Sequence, residues 1–91
     1  MIRTFAHKGI EAFFRKEPGL IQAVHADRLA RQLAQLNQAQ APKDMNLPGW
    51  KLHPLSGALD GHWSVSVSGN WRLTFRFDVG DAILLDYQDY R

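Results

Sequence analysis

A chain of 91 residues with 45% hydrophobic composition can bury one core and is too short for two, so residues 1–91 are expected to form a single domain. It holds no cysteine, which excludes a disulfide framework and thiolate metal sites and fits a reducing cytoplasm. No run of about 18 uncharged apolar residues occurs, so no membrane span is expected, and a net charge of +2 permits a polyanionic partner without requiring one.

The opening "MIRTFA" alternates weakly and predicts a short first strand with Ile2 and Phe5 as its apolar residues. From Lys8 to Lys16, Ile10, Phe13 and Phe14 fall at helical spacing, and Pro18-Gly19 ends that helix. A longer helix is expected from about Leu20 to Gln38, its apolar stripe made of Ile21, Val24, Leu29, Leu33 and Leu36, with Arg28, Arg31, Gln32 and Gln35 facing outward. "QAQAPKDMNLPGW" reads as a linker because Pro42 and Pro48-Gly49 discourage regular structure.

The period then changes to two. "WKLHPL", "HWSVSVS", "WRLTFRF" and "AILLDY" predict four strands, the middle two joined in a tight hairpin at Gly69-Asn70. Trp63, Val65 and Val67 alternate with Ser64, Ser66 and Ser68, and Trp71, Leu73, Phe75 and Phe77 alternate with Arg72, Thr74 and Arg76. One sheet face is thus greasy and the other hydroxylated and cationic. The economical packing is two helices over the greasy face of a mainly antiparallel sheet, an α+β architecture in which the first strand can pair in parallel.

On the open face Arg72 and Arg76 stand about 13 Å apart, a span suited to successive phosphates of a single strand. His53, held extended before Pro54, adds a side chain able to move a proton near neutral pH. Asp89 shares strand parity with Ile83, Leu85 and Tyr87, so either the strand breaks before Gln88 or the carboxylate meets an arginine. Tyr87 fits the core, whereas Tyr90 has the other parity and can stack on a base. His7, His25 and His62 fall on different elements without metal-ligand spacing, so no zinc site is expected.

"HADRLARQL", "DMNLPGWKLHPLSG", "WSVSVSGNWRLTFRF" and the closing "DYQDYR" resemble, in spacing and order, the HigB toxins, or proteic killer proteins, of the RelE/ParE superfamily of type II toxin-antitoxin modules. The resemblance implies a bacterial, cytoplasmic protein with two N-terminal helices on one face of a curved sheet of about five strands. It further implies a ribosome-dependent endoribonuclease that enters the decoding site and cuts messenger RNA through the RNA's own 2′-hydroxyl, with no metal or cofactor. Carried over by motif position, His53 and Asp89 handle protons, Arg72 clamps the phosphate and Tyr90 orients or stacks. Arg76 joins them from strand geometry alone, and Lys51 and Arg91 are further candidate RNA contacts.

The implied partner is a HigA-type helix-turn-helix antitoxin, through which alone the toxin would meet operator DNA. Arg28, Gln32 and Gln35 are candidate docking residues, beside the plainer expectation of a solvated helix face. Three positions depart from the family pattern: Ser56 where a base is common, Ser66 where an arginine is common, and Arg91 where a histidine is common. Two other readings therefore stay open, a homologue that has lost cutting and acts through its antitoxin, and a ParE-like gyrase poison, which has no need of an acid/base pair.

Overall fold

The structure is a computed structural model that describes residues 1–17 and 21–89. Helix α1 spans Lys8–Phe14 and helix α2 Ala26–Gln38, the latter preceded by a 3₁₀ turn at Ala23–His25. Strands β1 (His53–Pro54), β2 (Trp63–Ser68), β3 (Trp71–Asp78) and β4 (Asp81–Asp89) form one antiparallel sheet in the order β1-β2-β3-β4. The Pro18-Gly19 helix stop and the Leu20 helix start lie outside the described residues.

Local chemistry explains the helices. His7 caps α1, its Nδ1 accepting from the Ile10 amide at 3.2 Å, and Ile10 points from the first turn fully into the core. In α2, Leu29, Leu33 and Leu36 recur every three or four residues and are all but excluded from solvent. Each fully buried leucine of this kind contributes roughly 1.5–3 kcal/mol. They meet Val65, Leu73, Phe75 and Leu85 from the covered side of the sheet, with Met45 and Trp50 closing the core from the connecting segment. That segment is less irregular than its composition predicts, because Pro42–Met45 forms a 3₁₀ turn that drives Met45 inward.

The helix faces depart from expectation in two ways. Val24 sits in the 3₁₀ turn, off the apolar stripe, and is 85% exposed. Gln32 does the opposite: it is fully buried and donates from Nε2 to the Ser66 carbonyl at 2.8 Å. Arg28 donates to the same carbonyl and to that of Gly49, and Gln35 donates to the Asp44 carbonyl. These three candidate docking side chains are thus spent on their own chain, tying α2 to β2 and to the connecting segment.

Among the described residues the sheet has four strands rather than about five. The N-terminal segment pairs with β4 through two isolated parallel bridges, Ile2 to Ala82 and Phe5 to Leu85, so the parallel neighbour is real but is no continuous strand. β1 is likewise cut to two residues, since Pro54 removes a ladder donor. Two bulges interrupt the pairing, an irregularity that bends a strand and increases its twist. In the first, Val67 is the extra residue between the Ser66–Arg72 and Ser68–Trp71 pairs, so Ser68 shares a side with Trp71 rather than with Arg72. In the second, Arg76 pairs with Ile83 and Thr74 with Asp86, leaving one β3 residue against two in β4; Leu84 takes up the extra length at φ 57°.

Candidate active site

β1 brings a charged segment to the rim of the sheet. His53 pairs with Ser64, and the Ser66 amide donates to the Trp50 carbonyl at 2.7 Å, so residues 50–53 run beside the outer edge of β2. Between those anchors Lys51 adopts φ 52°, a left-handed conformation that costs a non-glycine residue about 1–2 kcal/mol. Lys51, Leu52 and His53 together with Arg72 line a shallow depression of about 330 Å³. Arg72 reaches it from β3, where it is half-buried and lies level with Ser66 on β2 and Gln88 on β4. Three of the predicted site residues, Lys51, His53 and Arg72, therefore converge on one cavity.

The other two described ones do not. Arg76 is exposed at the far end of β3, with its guanidinium 3.6 Å from where a Cβ on Gly61 would stand. The arginine thus lies against that turn, outside the depression. Asp89 belongs to β4, which runs on without a break before Gln88. The carboxylate-bearing residue pairs with Trp71, on the side of Tyr87, and is exposed because the strand has reached the sheet's end. It is on the opposite side from His53 and Arg72, and three strand spacings, roughly 14 Å at about 4.8 Å each, separate β1 from β4. Tyr90 and Arg91 lie outside the described residues.

Over residues 3–91 the sequence matches the RelE-like toxins of the type II toxin-antitoxin system HigB. It is 42% identical over 93 aligned residues to the endoribonuclease HigB of Proteus vulgaris, covering 99% of each chain. It is also 34% identical over 86 residues to the toxin HigB-1 of Vibrio cholerae, covering 91% of this chain and 90% of that one. The chain belongs to the HigB toxin family.

In this HigB-family toxin the open face differs from its sequence reading in a way that matters for the site. Ser64 and Thr74 are buried, not solvated: they are short side chains in a row whose outer members are His53 and Asp86, and Thr74 Oγ1 accepts from Gln88 Nε2 at 3.1 Å. Asp86 and Gln88 are open-face residues that the motifs do not single out, although simple alternation from Leu85 and Tyr87 would have placed them there. Alternation fails one step earlier, since the extra residue Leu84 puts Ile83 level with Arg76 rather than in step with Leu85 and Tyr87. Asp86 Oδ1 accepts from the Tyr87 amide at 2.8 Å, which fixes its carboxylate close to the backbone. Among the described residues, no three His, Asp or Glu side chains come together to hold a metal ion, and no helix is long and apolar enough to cross a membrane.

Behind the end of β4 the sequence concealed a second polar group. Tyr87 is buried and stacks on Trp71 with ring centroids 4.6 Å apart. Its hydroxyl bonds to His25 Nδ1 at 2.5 Å and receives the Gln22 amide at 3.5 Å, and His7 meets the ring edge-on at 5.6 Å. Burial pushes the Tyr87 phenol above its ordinary value, against a smaller opposing effect of the Gln22 hydrogen bond. No spacing in the sequence joins residues 25 and 87, so only the fold could reveal the pair.

Proposed function

We propose that this toxin is an endoribonuclease that cuts messenger RNA on the translating ribosome, at the depression lined by Lys51, His53 and Arg72. The observation that carries this reading is that convergence: a proton carrier and two cations on one shallow surface, open enough for a single strand. Neutral imidazole at His53 takes the proton of the 2′-hydroxyl. The freed 2′-oxygen attacks the adjacent phosphorus, the bond to the 5′-oxygen breaks, and a 2′,3′-cyclic phosphate and a 5′-hydroxyl result. Arg72 binds non-bridging oxygens in its planar fork and Lys51 adds a point charge, so that the growing negative charge meets fixed cations. The leaving 5′-oxygen of that same phosphate gains its proton from the acid that motif position gives as Asp89, which follows Gln88, the neighbour of Arg72, and reaches the clamped phosphate only round the end of β4. The endoribonuclease activity named for the Proteus vulgaris relative supports the reaction class. A HigA-type antitoxin is the partner of such a toxin, and the ribosomal decoding site would present the message.

A second reading, a toxin homologue that no longer cuts and works through its antitoxin, is favoured by one observation: Asp89 stands on the other side of the sheet from His53 and Arg72. Cleavage of a defined message in a reconstituted translation reaction separates the two. The parent is expected to leave cyclic-phosphate ends inside the coding region, with a loss of about 10²-fold or more in His53→Ala. An inert parent that regains cutting as Arg91→His would instead select the disabled toxin.

A further inference from the structure

The end of β4 is held unequally on its two flanks. Toward β3, the ladder continues through the Leu73–Tyr87, Arg72–Gln88 and Trp71–Asp89 pairs. Toward the N-terminal segment, among the described residues, the backbone bonds to β4 end at the Leu85 carbonyl, which accepts from Ala6 and His7. From Asp86 onward, that flank is secured by a side chain: Tyr87, stacked on Trp71 and bonded to His25 at the start of α2. The Tyr87 oxygen receives the Gln22 amide and shares a short hydrogen bond with His25 Nδ1, whose direction follows the tautomer of the ring. Both partners are about 95% buried, which makes the bond directional and intolerant of a missing member.

We propose that Tyr87 and His25 are positioning residues for Asp89, their hydrogen bond fastening the end of β4 to α2 so that the carboxylate two residues on keeps a fixed orientation. Trp71 is common to both parts of this arrangement, since it stacks on Tyr87 and is the cross-strand neighbour of Asp89. The pair touches no substrate in the proposed reaction and acts only through the strand it holds. The inference rests on the nuclease reading for its catalytic consequence but not for its mechanical one.

Two measurements on the full chain test it. Tyr87→Phe keeps the ring stack and removes the bond; backbone amide exchange at Gln88 and Asp89 is expected to quicken about tenfold while that of Leu73 is unchanged, as for a local opening. Single-turnover cutting of ribosome-bound message is expected to fall on the order of 10²-fold at unchanged affinity, the usual penalty of a misplaced group. The double variant His25→Leu with Tyr87→Phe replaces both polar partners by apolar ones, which restores the melting temperature. It is expected to leave the cutting rate low. Unchanged exchange at Asp89 in Tyr87→Phe, or a double variant that regains cutting together with its melting temperature, overturns the proposal. A parent that does not cut refutes the nuclease reading alone, because the exchange measurement still decides whether the pair holds Asp89.

Discussion

On the covered side of the sheet Val65, Leu73, Phe75 and Leu85 are each wholly excluded from solvent, whereas the buried residues of the other side are the short Ser64 and Thr74, with His53 and Arg76 exposed around them. The first side meets two helices and the connecting segment; the second meets its own neighbours in the ladder. Stability should therefore be concentrated on one side and chemistry on the other. The strongest way to break that comparison is to remove one large side chain from each. Phe75→Ala is expected to lose about 3–5 kcal/mol, a large share of the roughly 5–15 kcal/mol of a small domain, and to shift urea unfolding accordingly. His53→Ala is expected to change stability by no more than about 0.5 kcal/mol while cutting collapses. A His53 variant that unfolds as easily as the Phe75 one would mean that the depression is part of the core.

The same contrast explains what can be read from the sequence. The covered side announces itself, because Leu29, Leu33 and Leu36 at helical spacing and Leu73 and Phe75 at strand spacing obey periodicities that burial imposes. The motif residues Lys51, His53 and Arg72 are also legible, and the fold brings them to one cavity. What misleads is local geometry that no period encodes. Strict alternation groups Ile83 with Leu85 and Tyr87, whereas the extra residue Leu84 resets the pattern in mid-strand and leaves Ile83 paired with Arg76. Gln32 reads as a surface residue, yet it is buried because the Ser66 carbonyl, on the outer edge of β2, needs donors that Gln32 and Arg28 supply from α2.

A pH dependence sharpens the comparison, since the covered side holds a titratable hydroxyl where the open side holds exposed charges. Tyr87 has its phenol raised, chiefly by desolvation, so the folded state keeps its proton to a higher pH than the unfolded chain does. Its contribution is fully present below the unfolded value, about 10, and is lost as pH rises through the folded one, because between them only the unfolded chain releases the proton. The stability advantage of the parent over Tyr87→Phe is accordingly expected to be level from about pH 7 to 9 and to shrink above about pH 10. Urea unfolding at about pH 8 and about pH 11 checks this. An advantage that is equal at the two values would show that the hydroxyl is not the buried, hydrogen-bonded group described.

The smallest expected effect lies at neither side but at the tip of the β3–β4 hairpin, where a gain is predicted. Asp78 and Asp81 pair across a two-residue turn, Val79-Gly80, whose residues have φ 48° and 82°. Such a turn suits the twist of the strands and favours Asn-Gly, and a β-branched residue is poorly suited to its first central position. Val79 is 94% exposed, so replacing it sacrifices no burial, and the flanking charges are already countered by Arg3, which pairs with both aspartates. Val79→Asn is therefore expected to stabilise by about 1 kcal/mol, the cost of holding a β-branched residue in the left-handed region, and to raise the melting temperature by about 4–8 °C. Nearly the whole of β3, about 20 Å, separates this tip from Arg72, so cutting should be unaffected. An unchanged melting temperature would place the hairpin's stability in the Arg3 ion pairs instead, and adding salt to the Val79→Asn variant would then lower it further than exposed pairs normally allow.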